Sequence, residues 1–566
     1  MRRPLRPAAA LIGLTMVLAS CQGSASESPA ASGEPGPSST ATGGVVHVGY
    51  KGSPDSLNPG RGLLTESYTI YELVYDTPIS IDPEGNYVPE LATDWEASED
   101  GLTYTMHLVD DAVFHDGTPM TSEDVKFSLE TYRDNDFPYE SSYPDVFVDI
   151  EAPDPTTVVL HTEEPVGNFE YRMVFMYILP KHIWESEDAF TFDNAAMIGT
   201  GSFKLKDYET DEFVELEAVK DHWNISPNID GVIFQTIDND DARVAALTEG
   251  DVDMITEFQN TAIPTLQNTE NVEVVTMEAI GGSLTDLFFN VIDPADCPGP
   301  SELVPDGGTC SGHEALRDIE VRQALAKATD KQQLIDVATL GTGTVGVSLV
   351  PPGLGDYFVG ADAAFPFDVD AANEQLDAAG YEDTDGDGVR ECRADQDCDD
   401  LTFRFNYPDD STTGARESEL LDAMWSAVGV KIEIQVLDQD ALTSVCCPNF
   451  DYDVIMWGWG VDPDPQFLLG VTLCENIENG FSETGYCNAA YDELYAAQAQ
   501  ETDHATRVDQ IHEMQEILLE DTPYIIPYYY PTINAYRSDT YTGWLTGPRG
   551  FGLDDISSLG FIRPAQ

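Results

Sequence analysis

The chain has 566 residues, of which 26 are lysine or arginine and 103 are aspartate or glutamate, so its formal net charge at pH 7 is -77. A surface this acidic excludes phosphate-binding functions, and nucleic acid is not an expected partner. The hydrophobic content of 42% predicts a globular protein, and residues 45–566 exceed what one hydrophobic core serves, so at least two lobes are expected. Two interpretations of the acidity stay open: a solvated coat suited to a salty or alkaline exterior, and attraction of cationic solutes.

The first 20 residues have the plan of a secretory signal. Three arginines precede the apolar run Ala8–Leu18, which is shorter than the stretch of about 20 residues that a membrane-spanning helix needs. The sequence Leu18–Cys21 resembles the bacterial lipobox, in which the signal is cleaved before a lipid-modified cysteine. Cys21 is therefore the expected lipidation site. The alternative is an ordinary signal peptide followed by an unrelated cysteine.

Residues 21–44 form the expected tether. Beyond Cys21 they are almost all Ser, Ala, Gly, Pro, Thr and Glu, a composition that buries too little apolar surface to fold, so disorder is expected. Folded sequence is expected from Val45, and no later run is long and apolar enough to cross a membrane. These features place the protein on the outer face of the cell membrane, held by its lipid anchor alone, or on the periplasmic side in a Gram-negative cell.

The cysteines indicate an oxidising compartment. Eight remain when Cys21 is set aside, and an even number suits an exported protein with disulfides. Pairing by closeness in sequence gives three candidate disulfides: Cys297 with Cys310, Cys392 with Cys398, and Cys474 with Cys487. Cys446 and Cys447 are then left, either bonded to each other or paired elsewhere. No spacing of cysteine and histidine suggests zinc.

Strands and helices alternate along the rest of the chain. Polar and apolar residues alternate over 103–108 and 431–436, which predicts two half-buried strands. Apolar spacing, caps and terminal glycines predict helices that start after Thr121, cover 240–249 and 370–379, and include Ile319–Leu325 and Arg507–Leu519. A last strand is expected over Tyr524–Tyr530. This mixed order predicts α/β lobes.

The sequence lacks the common catalytic motifs. There is no Gly-x-Ser-x-Gly nucleophile elbow, no His-Glu-x-x-His zinc motif and no Gly-x-x-x-x-Gly-Lys phosphate loop. No enzymatic function is expected. A catalytic carboxylate pair stays open, because 103 acidic residues always supply candidates.

Eight segments occur in a recognisable order: Leu91–Trp95, Asp100–Tyr104, Phe114–Val125, Gly199–Leu205, Asp221–Trp223, Arg243–Leu247, Gly250–Asp253 and Val321–Ala326. Together they resemble the family 5 extracellular solute-binding proteins of ABC importers, which include binders of peptides, dipeptides and nickel. The resemblance runs from Val45 to Arg537. It implies a periplasmic-binding-protein-like clamp, with two α/β lobes of the larger three-domain type, mixed sheets and a hinge.

The resemblance also implies how the chain is divided. The first lobe is expected from residues 45–83, 200–290 and 535–566, with an extra domain, 84–199, inserted into it. The second lobe is expected from residues 291–534. Two connecting segments would act as the hinge, and a ligand favours closure only by as much as it prefers the closed state.

The segment Met456–Pro465 is the expected ligand contact. In peptide-binding members of the family this loop faces the cleft, and an acid three residues after a tryptophan holds the ligand's α-amino group. Here Asp462 follows Trp459, and a carboxylate withdrawn from water is costly unless a cation pairs with it. Trp457 and Trp459 would supply flat apolar walls. The alternative is a turn aspartate beside two core tryptophans. Arg416, in a less well matched segment, is a candidate partner for the ligand carboxylate.

An Asp/Gly-rich segment resembles the start of an EF-hand calcium loop. Asp383, Asp385 and Asp387 supply oxygen donors at positions 1, 3 and 5, Gly388 is at position 6, and Glu391 falls at position 9. Position 12 is an alanine instead of the usual bidentate glutamate, and later aspartates are the available substitutes. A structural calcium ion and a simple Asp/Gly-rich turn both stay open; no other cofactor is expected.

The expected function is capture of an extracellular peptide by hinge closure and its delivery to the permease and ATPase of an ABC transporter, with the protein acting as a monomer. Family membership does not fix the ligand, so a nickel chelate or an oligosaccharide is an alternative. A sensory receptor that uses the same clamp is a further alternative.

Overall fold

The computed structural model describes residues 42–565, apart from residues 136, 280–282, 302 and 548. The expected signal peptide, 1–20, the lipidation site Cys21 and the tether up to residue 41 lie outside the described residues. The first strand, Val45–Tyr50, starts at the residue where the sequence predicts the fold to start. None of the helices in the described part of the chain is both long enough and apolar enough to cross a membrane.

The largest sheet has eight strands within these residues. Val45–Tyr50 forms a central strand because its alternate valines, Val46 and Val48, are fully buried. It pairs in parallel with both neighbours, while most outer pairings are antiparallel. In spatial order the strands are Arg549–Gly550, Val272–Ala279, Thr532–Arg537, Met254–Ile255, Val45–Tyr50, Gly231–Thr236, Phe213–Ala218 and Phe203–Glu209.

A second mixed sheet has six strands in the described chain. Its central strand, Ser283–Phe289, is antiparallel to both neighbours. Leu284 and Phe288 pack into one core cluster and Leu287 and Phe289 into another, so both faces of the sheet are covered. In spatial order the strands are Thr344–Val345, Tyr524–Tyr530, Ser283–Phe289, Val454–Gly460, Thr402–Pro408 and Lys431–Leu437.

A third, antiparallel sheet falls within the range expected for the inserted domain. Its strands, in spatial order, are Ala92–Ala97, Thr103–Leu108, Thr157–Thr162 and Phe147–Asp154. Two short strand pairs complete the described sheets: Ile79–Ile81 with Tyr87–Pro89, and Tyr541–Thr542 with Arg563–Pro564.

Glycines end two helices at the residues that the sequence predicts. Gly250, with φ 84°, follows Asp240–Glu249, and Gly380, with φ 91°, follows Val369–Ala379. The other described α-helices are Thr65–Val74, Ser122–Asp134, Phe169–Val174, Lys181–Trp184, Ile263–Gln267, Ile319–Ala328, Lys331–Val337, Gly414–Ser426, Gln439–Cys446, Gln466–Gly470, Asn476–Asn479, Ala489–Gln500, His504–Asp521 and Ile556–Leu559. Short 3-10 helices cover Glu140–Ser142, Asn260–Ala262, Pro294–Asp296, Glu314–Arg317, Pro352–Tyr357 and Ala361–Ala363.

The mixed sheets and flanking helices confirm the expected α/β class. One burial prediction is wrong. The sequence predicts a half-buried strand over 431–436, but in Lys431–Leu437 only Ile432 is buried, while Ile434 and Val436 are exposed. The reason is position, because this strand lies at the edge of the six-stranded sheet and pairs on one side only.

The chain passes between the eight-stranded and the six-stranded sheet twice. One passage lies between residues 279 and 283, and the other is the single residue Pro531. Ser283 pairs with Tyr530 in the six-stranded sheet. Met277 pairs with Thr532 in the eight-stranded sheet. The ends of the two sheets that flank Pro531 therefore lie side by side.

Strand pairing divides the chain at residues that differ slightly from the expected lobe boundaries. The strand Ser283–Phe289 pairs in the six-stranded sheet, although 200–290 is the range expected for the first lobe. The strand Thr532–Arg537 pairs in the eight-stranded sheet, although it starts inside the range 291–534. The boundaries depend on how strands that are distant in the sequence pair with one another, and local sequence patterns do not reveal this pairing.

Four disulfides join cysteines of the described chain. Three are Cys297–Cys310, Cys392–Cys398 and Cys474–Cys487. The adjacent pair Cys446 and Cys447 forms the fourth, which is one of the two arrangements that the sequence leaves open. Each disulfide closes a short stretch of chain beyond residue 290.

Glu140 is a fully buried acid of the inserted region. One of its carboxylate oxygens accepts a hydrogen bond from the Tyr68 hydroxyl at 2.7 Å, and the other has no partner among the described residues. Burial raises the pKa of the Glu140 carboxyl from 4.5 to about 7.

A carboxyl with a raised pKa in the fold stabilises the folded state fully below its unfolded pKa. That contribution is lost as the pH rises from 4.5 to about 7, and stays lost above. Glu140→Gln removes the titration. Between pH 5 and pH 8, the free energy of unfolding measured with urea should therefore fall by about 2–3 kcal/mol more in the wild type than in the variant. Glu374→Gln, on an exposed helix face, is the matched control. The same pH dependence in the Glu140→Gln variant and the wild type would contradict the assignment.

Candidate ligand-binding cleft

A cavity of about 590 Å³ lies where the chain crosses between the two large sheets. Residues of both sheets and of their flanking segments form its wall: Tyr50, Glu257, Phe258, Ser283, Thr413, Arg416, Tyr530, Pro531, Asn534 and Asp554. A ligand in this cavity would touch both halves of the molecule, which is the usual place for a small-molecule site.

A second cavity, of about 310 Å³, continues from the first, since Ser283 and Tyr530 line both. Trp457 and Trp459 lie in its wall on one face of the strand Val454–Gly460. Gly458 lies between them in the sequence. Glycine suits this position because a Cβ there would come within 2.4 Å of the Leu284 carbonyl oxygen. The glycine thus lets the two strands approach closely while both indole rings face the cavity.

Hydroxyl groups form the polar part of the second cavity. Thr285 donates a hydrogen bond to the Tyr530 hydroxyl at 2.9 Å, and the Tyr528 hydroxyl lies 3.1 Å from the same oxygen. Tyr528 donates to Glu417, a buried acid whose pKa is raised by burial. This network offers donors and acceptors to the backbone of a ligand that lies against the tryptophans.

Charges of both signs line the first cavity. Arg416 is half-buried and donates a long hydrogen bond, 3.5 Å, to the Val337 carbonyl. Among the described residues, no carboxylate lies within 4.0 Å of its guanidinium. Glu257 and Asp554 lie in the same wall, and burial raises the pKa of both, that of Asp554 to about 7. The wall also holds Lys51, which pairs with Glu257 at 3.7 Å, and a third acid, Asp240. It therefore carries two cations and three acids in all, of which Arg416 lacks a carboxylate partner among the described residues.

Asp462 and Asp464 are close in sequence but differ in their partners. Asp464 is 1% exposed and forms a two-point ion pair with Arg507, at 2.6 and 2.8 Å. Asp462 is half-buried and accepts a hydrogen bond from Tyr171 at 2.8 Å, and burial raises its pKa. No cation pairs with Asp462 in the described chain. Asp462, the acid that the sequence predicts to contact the ligand, is thus the one without a cationic partner in the described chain. It lies outside the walls of the first two cavities.

A third cavity, of about 250 Å³, adjoins this region. It shares Phe551 with the first cavity and has Pro463, the neighbour of Asp462, in its wall. Glu72 and Glu90 line it together with the buried aromatic ring of Tyr177.

Sequence reasoning misses the acids of the first and third cavities. Glu257, Asp554 and Asp555 carry no local signal among 103 acidic residues. The family resemblance ends at Arg537, before the last two of them. Only the folding of distant segments onto one cleft reveals these residues.

The Asp/Gly-rich segment forms an exposed loop. Asp383, Asp385 and Glu391 bring carboxylate oxygens within 4.8 Å of one another, while Asp387 is outside this group. Asp383 accepts hydrogen bonds from two backbone amides of the loop, at 2.7 and 3.0 Å. The loop is far in sequence from the tryptophan strand and contributes no residue to the three cavities.

Comparison with known proteins identifies the class. The family model for bacterial extracellular solute-binding proteins, family 5 Middle, matches residues 86–479. This chain belongs to that family, as its sequence motifs suggest. The oligopeptide-binding protein AppA of Bacillus subtilis (strain 168) is 25% identical over 551 residues, with 95% of each chain covered. The dipeptide-binding protein of Escherichia coli (strain K12) is 24% identical over 530 residues, with 88% of this chain and 92% of the relative covered.

Solved structures confirm the binding-protein fold. NikA from Brucella suis, in complex with Fe(III)-EDTA, superposes with a TM-score of 0.77 at 19% identity, covering 92% of this chain and 100% of that chain. AppA from Bacillus subtilis, in complex with a nonapeptide, gives a TM-score of 0.68 at 22% identity, covering 93% and 100%. The named relatives are solute-binding proteins and not enzymes.

The difference between the two aspartates predicts different effects on stability. Asp464→Asn leaves Arg507 buried without a counter-charge and should lower the free energy of unfolding by about 3–5 kcal/mol. Asp462→Asn removes one hydrogen-bond acceptor at a half-buried position and should cost about 1 kcal/mol or less. Urea unfolding at pH 7 measures both. Equal losses in the two variants would show that Asp462 is a structural acid.

Proposed function

We propose that this protein captures an extracellular peptide in the cleft at the sheet crossing and delivers it to the permease and ATPase of an ABC transporter. The observation that carries the proposal is an aromatic cleft with unmatched charges. Trp457 and Trp459 line one cavity and Arg416 lines the next. Within the described ranges, Arg416 has no carboxylate partner and Asp462 has no cationic one. A peptide has an ammonium group at one end and a carboxylate at the other, so it supplies both missing partners.

Capture proceeds by closure of the two halves about the paired passages near residues 279–283 and Pro531. Because both sheets end at this crossing, rotation of one half against the other there would change the width of the cleft while the strand pairing within each sheet is kept. A ligand that touches both walls stabilises the closed state by the free energy of the contacts it makes only there. The names of the oligopeptide-binding and dipeptide-binding relatives support a peptide as that ligand.

The protein works as a monomer on the outer face of the cell membrane. A lipid on Cys21 holds it there, and the tether over residues 21–44 lets the folded part reach the permease. The signal-like first 20 residues and the composition of the tether support this placement.

A metal chelate is the second candidate ligand, because NikA, whose fold is similar, is described in complex with Fe(III)-EDTA. A polycarboxylate chelate such as Fe(III)-EDTA is anionic, and it would meet Glu257 and Asp554 in the wall of the first cavity. That repulsion favours the peptide.

Calorimetric titration with Ala-Ala-Ala tests the two charged contacts. Asp462→Asn should weaken binding about 10- to 100-fold, because a charge-assisted hydrogen bond to the ligand ammonium is lost. Acetylating the peptide's amino terminus should weaken binding to the wild type similarly and add little in the variant. Arg416→Gln should behave in the same way toward a peptide with an amidated carboxyl terminus.

The exposed acid Asp440 supplies the matched control, since Asp440→Asn should leave the affinity unchanged. Additive effects of acetylation and Asp462→Asn would show that the two groups do not meet. Absence of binding by any peptide of two to nine residues, with binding of a metal chelate, would replace the peptide by the second candidate.

We also propose that Asp383, Asp385 and Glu391 hold a structural calcium ion. Their carboxylates are hard oxygen donors, and a dication would relieve the repulsion among three converging acids. Such an ion would fix the loop and play no part in capture.

Melting curves test the calcium proposal. A ligand that binds only the folded state raises stability, so millimolar calcium should raise the melting temperature and a chelator should reverse the rise. Glu391→Gln should abolish the calcium-dependent shift, whereas Glu382→Gln beside the loop should keep it. Identical melting with calcium and with chelator would contradict the site.

A further inference from the structure

The wall of the third cavity combines acidic and apolar residues. Its four acids in the described chain are Glu72, Asp82, Glu90 and Asp555. Val174 and Phe175 supply apolar surface, with other apolar residues around them. No lysine, arginine or histidine of the described chain is in this wall. Glu72, Asp82 and Glu90 come from one stretch of the chain and Asp555 from far beyond it, so the fold brings the two stretches together.

Three of the four carboxylates accept hydrogen bonds from nearby residues of the described chain, and those of Asp82 come from Glu84 and Asn86. Glu90 accepts hydrogen bonds from the backbone and the hydroxyl of Thr77, at 2.9 and 2.7 Å. Asp555 accepts from Ser557 at the start of its short helix. Glu72 is exposed to solvent and has no hydrogen-bond partner in the described chain. Burial first, and then a neighbouring acid, raise the pKa of the half-buried Glu90 to about 8, and nearby protein and acids shift that of Glu72 in the same direction.

Tyr177 adds a second, independent observation. Its side chain is 1% exposed and lies in the wall of the same cavity. Its hydroxyl has no hydrogen-bond partner among the described residues. A buried hydroxyl without a partner costs free energy, and such a group in a native fold calls for a ligand or water to satisfy it. A phenol oxygen can accept a hydrogen bond from an N–H donor of a ligand.

We propose that this cavity is the subsite for a basic side chain, lysine or arginine, at the amino-terminal end of the captured peptide. The proposal rests on the proposed function. Pro463 places the cavity beside Asp462, the expected partner of the peptide's ammonium group, and Phe551 connects it with the main cavity. The alkyl stem of the basic side chain lies along Val174 and Phe175, and its charged end meets the carboxylates.

A side chain suits this cavity better than a metal ion. In the described chain, the clusters of three or more potential metal ligands with ligand atoms within 4.8 Å of one another contain none of the acids of this cavity. The cavity acids therefore do not form a compact set of metal ligands. A long basic side chain, in contrast, reaches separated carboxylates through several N–H donors.

Titration with matched tripeptides tests the subsite. The wild type should bind Lys-Ala-Ala about 10- to 100-fold more tightly than norleucine-Ala-Ala, which keeps the stem and lacks the charge. The double variant Glu72→Gln/Glu90→Gln should bring that ratio close to one. Tyr177→Phe should lower it about threefold. Glu374→Gln, on a distant exposed helix face, should keep the wild-type ratio.

Folding of the variants is checked by thermal melting, where replacing desolvated acids by amides should not lower the midpoint. Equal affinity of the wild type for the lysine and norleucine peptides overturns the subsite while peptide capture stands. A preference for Ala-Ala-Lys over Lys-Ala-Ala overturns its place at the amino-terminal end. Failure of every peptide to bind overturns the proposed function itself, and the subsite with it.

Discussion

The two passages between the large sheets govern the rest of the architecture. Ser283 pairs with Tyr530 on one side of the crossing, and Met277 pairs with Thr532 on the other, so the chain leaves one sheet and enters the next twice at the same place. Strand pairing holds each sheet rigid, because every ladder hydrogen bond fixes its neighbours. The first cavity opens at this crossing, with Pro531 in its wall.

The acidity of the chain has two parts that the structure separates. Most carboxylates are exposed, and they form the solvated coat that the net charge of -77 suggests. A smaller set, Glu90, Asp554 and Asp555, is half-buried at the cleft and its side cavity, where burial raises the pKa of each carboxyl. An exposed acid is solvated by water and screened by salt at little cost, whereas a half-buried acid favours a bound cation. Under the proposed function, attraction of cationic groups would therefore belong to these few acids and not to the exposed coat.

Local signals in the sequence predict the elements and the α/β class well. Gly250 and Gly380 end helices because a positive φ is easy for glycine, and this is visible without a structure. Burial along 431–436 is predicted wrongly because alternation does not reveal that the strand lies at a sheet edge. The tryptophan strand is found through its family resemblance. Glu72, Glu90 and Asp555 line the same cavity only after the chain has folded. No local sequence pattern therefore predicts them as a group.

A crystal structure with a bound tripeptide tests the central claim most directly, namely that the crossing between the sheets is the capture site. We expect peptide density between two walls of the cleft, one formed by Trp457 and Trp459 and the other by Glu257 and Asp554. The ammonium group of the peptide should point toward Asp462 and its carboxylate toward Arg416. Peptide density elsewhere on the protein, with this cleft filled only by solvent, would contradict the account.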